Sequence, residues 1–171
     1  MNAPEYPERV WVAPGYTSLR IFVLGESWYG HYEGDLATDD GYIRAYLEGK
    51  VVDAMYTRLA NATGLKKQAF WRSVMFTNFV QRTGPTRDHR PTPEQYRAAT
   101  ERLASLLEVH RPLGVWILGK EQSRYSEPVV RSAGIAAEVA PHPTSYGVKN
   151  TVLRESWAAL LAKAGRSEHG V

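Results

Sequence analysis

A run of four apolar residues, Ile21 to Leu24, ends at Gly25 and is followed at once by a carboxylate, a hydroxyl group and two aromatic rings. Uninterrupted apolar runs of this kind are typical of central strands in parallel sheets, which helices cover on both faces. In such sheets ligands bind beyond the carboxyl ends of the strands. The run therefore predicts a buried strand over about residues 19–24, with Glu26 at the ligand-binding edge of the sheet.

Other segments of the chain complete a pattern of alternating strands and helices. Apolar runs predict three more strands, over residues 73–76, 114–119 and 135–139. Helical spacing of apolar residues predicts helices between and after them, over residues 42–60, 66–70, 92–110 and 150–164, with a short helix between the last two strands. The helix at Thr92 begins with a capping box and a proline at its first position.

This order of elements predicts an α/β fold, a three-layer α/β/α sandwich with a central four-stranded, mostly parallel sheet. A chain of 171 residues is long enough for one substantial core, so residues 1–171 are expected to form a single domain. Residues 1–18 hold three prolines and are expected to be an irregular lead-in. Residues 166–171 are expected to be a frayed tail.

Composition narrows the possible chemistry. The chain has no cysteine, which excludes disulfides, thiol nucleophiles and thiolate-ligated zinc or iron–sulfur sites. Its five histidines show no close paired spacing, so we expect neither a metal nor a cofactor. No apolar stretch approaches the roughly 20 residues of a membrane span, and the first residues lack a signal-peptide core. We therefore expect a cytoplasmic protein without membrane contact; its net charge of +3 is compatible with a polyanionic partner.

Three polar clusters follow predicted strands: Gly25–Gly30, Thr77-Asn78 and His142–Gly147. Because the carboxyl ends of parallel strands meet at one edge of a sheet, we expect the clusters to converge on one crevice. Together they supply a carboxylate, a side-chain amide, an imidazole and several aromatic rings.

This set resembles the uracil-DNA glycosylase superfamily, with a Gly-Glu loop after the first strand, Thr-Asn at a strand end and His-Pro after the last strand. The resemblance covers about residues 19–150. It implies a monofunctional, cofactor-free enzyme that flips uracil out of DNA and hydrolyses its N-glycosidic bond, leaving an abasic site and free uracil. The implied partner is uracil-containing DNA, single- or double-stranded, and the protein is expected to act as a monomer.

The resemblance assigns catalysis to Glu26 and His142. His142 would donate a hydrogen bond to the uracil oxygen as negative charge grows on the leaving base, in the manner of an oxyanion hole. Glu26 would stabilise the cationic sugar or position the attacking water, with Ser27 and Asp35 as alternatives for that role. From the residues alone, His142 can also be a turn histidine, and Glu26 can cap the following helix or pair with a nearby arginine.

Asn78 is the residue that the resemblance assigns to reading the base. Its amide can accept from the N3–H of uracil and donate to O4, whereas cytosine offers the reverse pattern. Gly25 and Ser27 would line the base site, and Tyr29 or Tyr32 would stack on the flipped ring. The alternative for Asn78 is an amide that satisfies backbone groups at the end of a strand.

DNA contacts are expected around the mouth of the crevice. Tyr146 stands where the resemblance places a side chain that wedges into the emptied base stack. Ser145, Arg82 and Lys149 are expected to contact the DNA, and the arginines at positions 87 and 90 to neutralise its phosphates. A turn tyrosine and solvated loop charges are the ordinary alternatives.

The chain departs from the superfamily at two points. Members with this Gly-Glu loop commonly hold a four-cysteine iron–sulfur cluster, which a chain without cysteine cannot bind, and Trp28 stands where a pocket-shaping proline is normal. These departures leave two alternative functions. One is a non-catalytic or product-retaining binder of abasic or uracil-containing DNA on the same fold; the other is a flavodoxin-like small-molecule enzyme in which the motifs are coincidental.

Overall fold

The computed structural model describes residues 9–30, 32–81, 84, 86 and 88–168. At its centre lies a sheet of five strands: β1 (Trp11–Val12), β2 (Ile21–Ser27), β3 (Met75–Val80), β4 (Gly114–Leu118) and β5 (Ala136–Ala140). The strand order is β1-β3-β2-β4-β5, with β1 antiparallel to β3 and every other pair parallel. The α/β class and the mostly parallel sheet are confirmed, but the prediction of four strands is wrong.

Helices cover both faces of this sheet. They are α1 (Tyr16–Leu19), α2 (Asp39–Leu47), α3 (Ala54–Thr63), α4 (Lys67–Trp71), α5 (Pro93–His110), α6 (Lys120–Ser132) and α7 (Asn150–Glu168), with a 3₁₀ turn at Gly34–Ala37. One core lies under α2, α3, α4 and α7 and takes Ile21 and Val23 from β2. The other lies under α5 and α6 and takes Phe22 and Leu24. Alternate residues of one continuous apolar strand therefore fill both cores, as the pleat of a central strand requires.

The fifth strand lies in the segment that was expected to be an irregular lead-in. Trp11 is only 4% exposed, and its indole Nε1 donates to the carbonyl of Trp71 at 2.7 Å. Its neighbour Val12 is 40% exposed, so the two residues alternate between core and solvent. A two-residue strand is too short to leave a periodic signal in the sequence, and it forms here because it covers the free edge of β3.

Several boundaries also differ from the predicted ones. The single helix expected over residues 42–60 is two helices, because the side chain of Asp53 accepts from the backbone N–H of Tyr56 at 3.0 Å and starts α3 anew. The element between β4 and β5 is the 13-residue helix α6 and is not short. At the end of the chain, α7 continues past the expected stop at Ala164 to Glu168, so the first part of the predicted frayed tail is helical; residues 169–171 lie outside the described residues.

Two of the three strands that precede the polar clusters are longer than expected and include part of those clusters. Gly25, Glu26 and Ser27 lie in β2, and Thr77 and Asn78 lie within β3. Gly25 pairs with Asn78 across the two strands. A Cβ atom on Gly25 would lie 2.4 Å from Asn78 Oδ1, so only glycine lets the asparagine side chain occupy this place. Among the described residues, no helix is long and apolar enough to cross a membrane.

Candidate functional site

Two neighbouring cavities open at the carboxyl end of the sheet. The first, here called the aromatic cavity, has a volume of about 320 Å³, and its walls include Ser27, Tyr29, Tyr32, Asn78 and His142. The second, here called the Glu26 cavity, has a volume of about 200 Å³ and is bounded by Glu26, Arg90, His142 and Ser145, among others. His142, Ser27 and Tyr29 border both cavities. The structure thus brings the three polar clusters to one edge of the sheet.

Asn78 is almost completely buried, with 5% of its surface exposed. Its side-chain nitrogen donates to Asp39 Oδ1 at 3.1 Å, and its backbone carbonyl accepts from Gln81 at 2.7 Å and from Arg102 at 3.1 Å. Within the described residues Oδ1 of Asn78 receives no hydrogen bond. The amide therefore meets the aromatic cavity with one acceptor unused, and the partner of its nitrogen is a residue that the sequence did not single out.

That residue, Asp39, is the first residue of α2 and is 1% exposed. Besides Asn78, its carboxylate accepts from the indole Nε1 of Trp28 at 2.6 Å and from the hydroxyl of Thr77. Burial raises the pKa of this carboxyl above its usual value, whereas the hydrogen bonds from Thr77 and Trp28 and the charge of Arg102 lower it. Trp28, which takes the place of the expected proline, is thus a donor to a buried carboxylate under the cavity.

Glu26 lies at the end of β2 and is 9% exposed. Oε1 accepts from the hydroxyl of Tyr96 on α5 at 2.9 Å, and the guanidinium of Arg90 lies 3.3 and 3.4 Å from the two carboxylate oxygens. Arg90 also contacts Glu121 at 2.8 Å. Burial and the neighbouring Glu26 raise the pKa of Tyr96, which keeps its phenol protonated as a donor. The pairing of Glu26 with an arginine is therefore present, and Arg90, expected on DNA phosphates, is held by two carboxylates.

His142 is half-buried between the two cavities. Its Nδ1 accepts from the backbone N–H of Thr144 at 3.3 Å and lies 2.9 Å from the hydroxyl of the same residue. Burial lowers the pKa of the imidazole below its usual value; the charge of Glu26 opposes this shift and that of Arg90 adds to it. Because a backbone N–H can only donate, the neutral ring carries its proton on Nε2. His142 therefore offers one N–H donor.

The loop from His142 to Lys149 is held from below by one arginine. Arg58 on α3 donates to the carbonyls of Pro143 and Val148 and to the side chain of Asn150, the last at 2.7 Å. The tip of the loop is free, since Tyr146 is fully exposed. No local sequence pattern marks Arg58, because its two contacts with this loop and its contact with Asn150 lie 85–92 residues away.

The remaining predicted site residues lie in three kinds of surroundings. Tyr29 and Tyr32 are about two-fifths exposed on the wall of the aromatic cavity, and the ring of Tyr32 meets those of Trp28 and Tyr42 edge to face at 5.6 and 5.4 Å. Ser145 borders the Glu26 cavity, and Lys149 is exposed at the far end of the same loop. Arg82 and Arg87 lie outside the described residues. In the described part of the chain, no three His, Asp or Glu side chains come together to hold a metal ion.

Comparisons with known proteins do not assign this chain to a family. No protein-family model matches the chain, and no curated protein matches it. Among solved structures, a mutant of the laminin-binding adhesin Lmb from Streptococcus agalactiae is similar over 87% of this chain and 44% of that chain, with 12% sequence identity and a TM-score of 0.35. The chain thus spans less than half the length of that adhesin, and a likeness at this TM-score assigns no family.

Proposed function

We propose that this protein is a cofactor-free, monofunctional uracil-DNA glycosylase that flips uracil out of DNA and hydrolyses its N-glycosidic bond. The observation that supports this most is the position of His142. It borders the aromatic cavity together with Asn78 and the Glu26 cavity together with Glu26. A base in the first cavity and its sugar in the second would place the bond between them beside the imidazole.

The aromatic cavity suits a flat, polar ring. Its volume of about 320 Å³ is at the lower end of the range of about 300–1,000 Å³ for small-molecule sites. Tyr29 and Tyr32 supply exposed aromatic faces on which a flipped base can stack, and stacking contributes about 1–3 kcal/mol per base. Asn78 supplies the amide at the buried end of the cavity.

His142 would act on the leaving base. As the N1–C1′ bond breaks, its electron pair stays on the base and negative charge develops on the carbonyl oxygen. A neutral imidazole with its proton on Nε2 donates to that oxygen without itself changing charge. A preorganised donor of this kind contributes about 2.7–4 kcal/mol of transition-state stabilisation.

Glu26 would act on the sugar. A carboxylate beside C1′ stabilises the positive charge that remains there and orients the water that adds to it, and the proton of that water passes to the departed base or to solvent. In the free protein Arg90 occupies this carboxylate. Binding of the substrate then requires the guanidinium to move from Glu26, with Glu121 and the DNA phosphates as its remaining partners.

The exposed loop would engage the duplex. Tyr146 projects fully into solvent and can fill the gap left by the flipped base, while Ser145 and Lys149 can contact the flanking phosphates. Arg82 is also expected to contact the DNA.

The test is release of free uracil from an end-labelled oligonucleotide with one deoxyuridine, measured as single-turnover cleavage after alkali, with deoxycytidine and thymidine substrates as controls. Uracil-dependent cleavage without added metal is the expected result.

The Arg90–Glu26 pair also favours a second candidate, a binder that retains abasic or uracil-containing DNA without cutting it. If the protein binds that DNA tightly and releases no uracil, the glycosylase proposal is wrong and the protein is a binder of such DNA.

A further inference from the structure

Asp39 combines deep burial with an unusually complete set of donors. Two N–H groups lie close to its carboxylate, the indole of Trp28 at 2.6 Å and the side-chain amide of Asn78 at 3.1 Å. Two more lie farther away, the backbone amide of Asn78 at 3.4 Å and the side-chain amide of Gln81 at 3.5 Å. None of these N–H groups can accept a hydrogen bond. The hydroxyl of Thr77 adds a fifth contact. Burial raises the pKa of this carboxyl, but every contact comes from a group that can donate to it, so the ionised form satisfies all of these contacts.

The anion decides how the amide of Asn78 is turned. An ionised carboxylate accepts hydrogen bonds only, so the group that faces Asp39 must be the NH₂ end of the amide. The oxygen must then face the other way. Gly25 leaves the room for it, because a Cβ there would lie 2.4 Å from Oδ1.

We infer that Asp39 is a positioning residue, which holds the oxygen of Asn78 free as an acceptor so that the site selects a base with an imide N–H. This inference rests on the proposed function and names the residue that sets its selectivity for uracil. Uracil carries N3–H and satisfies the acceptor. Cytosine has an unprotonated N3, which would face the oxygen lone pairs, and it is excluded.

The first experiment follows the Asn78 amide by ¹⁵N NMR in the wild-type protein, with the signal assigned by its loss in the Asn78→Ser variant. We expect a downfield amide proton that exchanges slowly. Free uracil should shift this signal, whereas 3-methyluracil, which has lost its N3–H, and cytosine should leave it in place at the same concentration. Equal binding of uracil and 3-methyluracil overturns the inference.

The second experiment compares Asp39→Asn with Asp40→Asn. Asp40 is the next carboxylate on the same helix and pairs with Arg9 and Arg44 instead of Asn78. In Asp39→Asn the new amide can donate to Asn78 Oδ1, so the side-chain amide of Asn78 can adopt the opposite orientation. The ratio of uracil release to cytosine release should therefore fall about 10- to 100-fold. Asp40→Asn should keep both the ratio and the amide signal.

The outcomes separate the inference from the proposed function. A folded Asp39→Asn protein with an unchanged amide signal and an unchanged ratio overturns the role of Asp39, while the glycosylase proposal stands. A wild-type protein that releases no uracil from DNA, but binds free uracil and rejects 3-methyluracil, overturns the glycosylase and supports the inference.

Discussion

His142 illustrates how a single backbone contact can set the chemistry of a side chain. The N–H of Thr144 faces Nδ1, and burial lowers the pKa of the ring below its usual value of about 6.5. The neutral form with its proton on Nε2 therefore persists through neutral pH. Protonation would place a second donor on Nδ1 against the N–H of Thr144, so that hydrogen bond would be lost.

We predict that His142 titrates below pH 6.5 and carries its proton on Nε2 at pH 7, as measured by ¹⁵N NMR of the labelled ring. The logarithm of kcat/KM should be flat above pH 6.5 and fall at lower pH, because the neutral donor is the active form. The same shift makes folding stability fall as the pH drops from 6.5 towards the lower pKa, since the unfolded chain binds the proton more readily. A pKa at or above 6.5, or a proton on Nδ1, would contradict this assignment.

Replacing His142 by leucine tests the same group in catalysis. The substitution removes a donor that is needed most in the transition state, so the single-turnover rate of cleavage should fall about 100- to 1,000-fold. Binding of DNA that carries an uncleavable uracil analogue should change much less. The control is His110→Leu at the end of α5, where the ring contacts Tyr16, outside both cavities. Equal cleavage by His142→Leu and wild type would make His142 a turn residue only.

At the residue scale, the sequence predicts the groups that end a strand but not their partners. Glu26, Asn78 and His142 follow recognisable apolar runs, so their common edge follows from the rules of parallel sheets. Asp39 stands at the start of a helix, where an acidic residue is ordinary. Its importance arises from contact with Asn78, 39 residues away. This contact also makes Asn78→Asp a poor test of base reading, because it would bury two carboxylates side by side.

At the scale of the elements, the loop between β5 and α7 shows how one side chain can hold a segment in place. The guanidinium of Arg58 satisfies two of its carbonyls and the side chain of Asn150. Hydrogen bonds from a charged group contribute about 1.5–3 kcal/mol each when measured alone and are not additive. The loop that carries His142 and Tyr146 is thus tied to α3 through this residue.

We predict that Arg58→Met lowers the stability of the protein by about 2–3 kcal/mol, which corresponds to roughly 5–10 °C in Tm for a chain of this size. Amide hydrogen exchange should accelerate over residues 142–149, and cleavage should fall more than the affinity for free uracil. The control is Arg154→Met, which removes one contact of 3.4 Å with Ala62 across the interface of α3 and α7. Equal exchange rates in that loop for the two variants would show that Arg58 does not hold it.

Elements whose boundaries are set by neighbouring residues in the sequence agree with the predicted ones. The capping box that starts α5 is present with both of its hydrogen bonds, and α4 lies within one residue of its expected position. By contrast, the helical spacing runs on through residues 48–53, so the sequence pattern does not reveal the break between α2 and α3 that the cap at Asp53 makes. Strand β1 depends on the exposed edge of β3, which no local pattern encodes.

At the scale of the whole molecule, the strand order places the candidate site at one end of the sheet. The strand that follows β2 in the chain, β3, lies on one side of β2, and the later strands β4 and β5 lie on the other side. The direction in which strands are added to the sheet therefore reverses at β2. Ligands bind at the carboxyl end of such a reversal. Both site cavities lie at that end. A third cavity, of about 680 Å³ and lined by Arg20 and Arg111 among others, lies at the amino end between α5 and α6.

This polarity leads to a prediction about charge. A net charge of +3 spread evenly over the surface would make every lysine and arginine equally useful for binding DNA. The proposed function requires the opposite, with phosphate contacts at the carboxyl end only. Lys149 is exposed there, whereas Arg131 is exposed in the last turn of α6, which runs from beside Glu26 towards the amino end. Replacing either by glutamine removes one positive charge.

We predict that Lys149→Gln makes the plot of log K for DNA binding against log salt shallower by about 0.7–0.9, the value for one lost phosphate contact on single-stranded or duplex DNA. Arg131→Gln should leave the slope unchanged. The measurement is fluorescence anisotropy over a salt series, with an abasic and an undamaged oligonucleotide, and the change should be the same for both because a phosphate contact carries no sequence information. Equal slopes for the two variants would mean that DNA is not held at the carboxyl end of the sheet. The loop of Tyr146 would then have no duplex to enter.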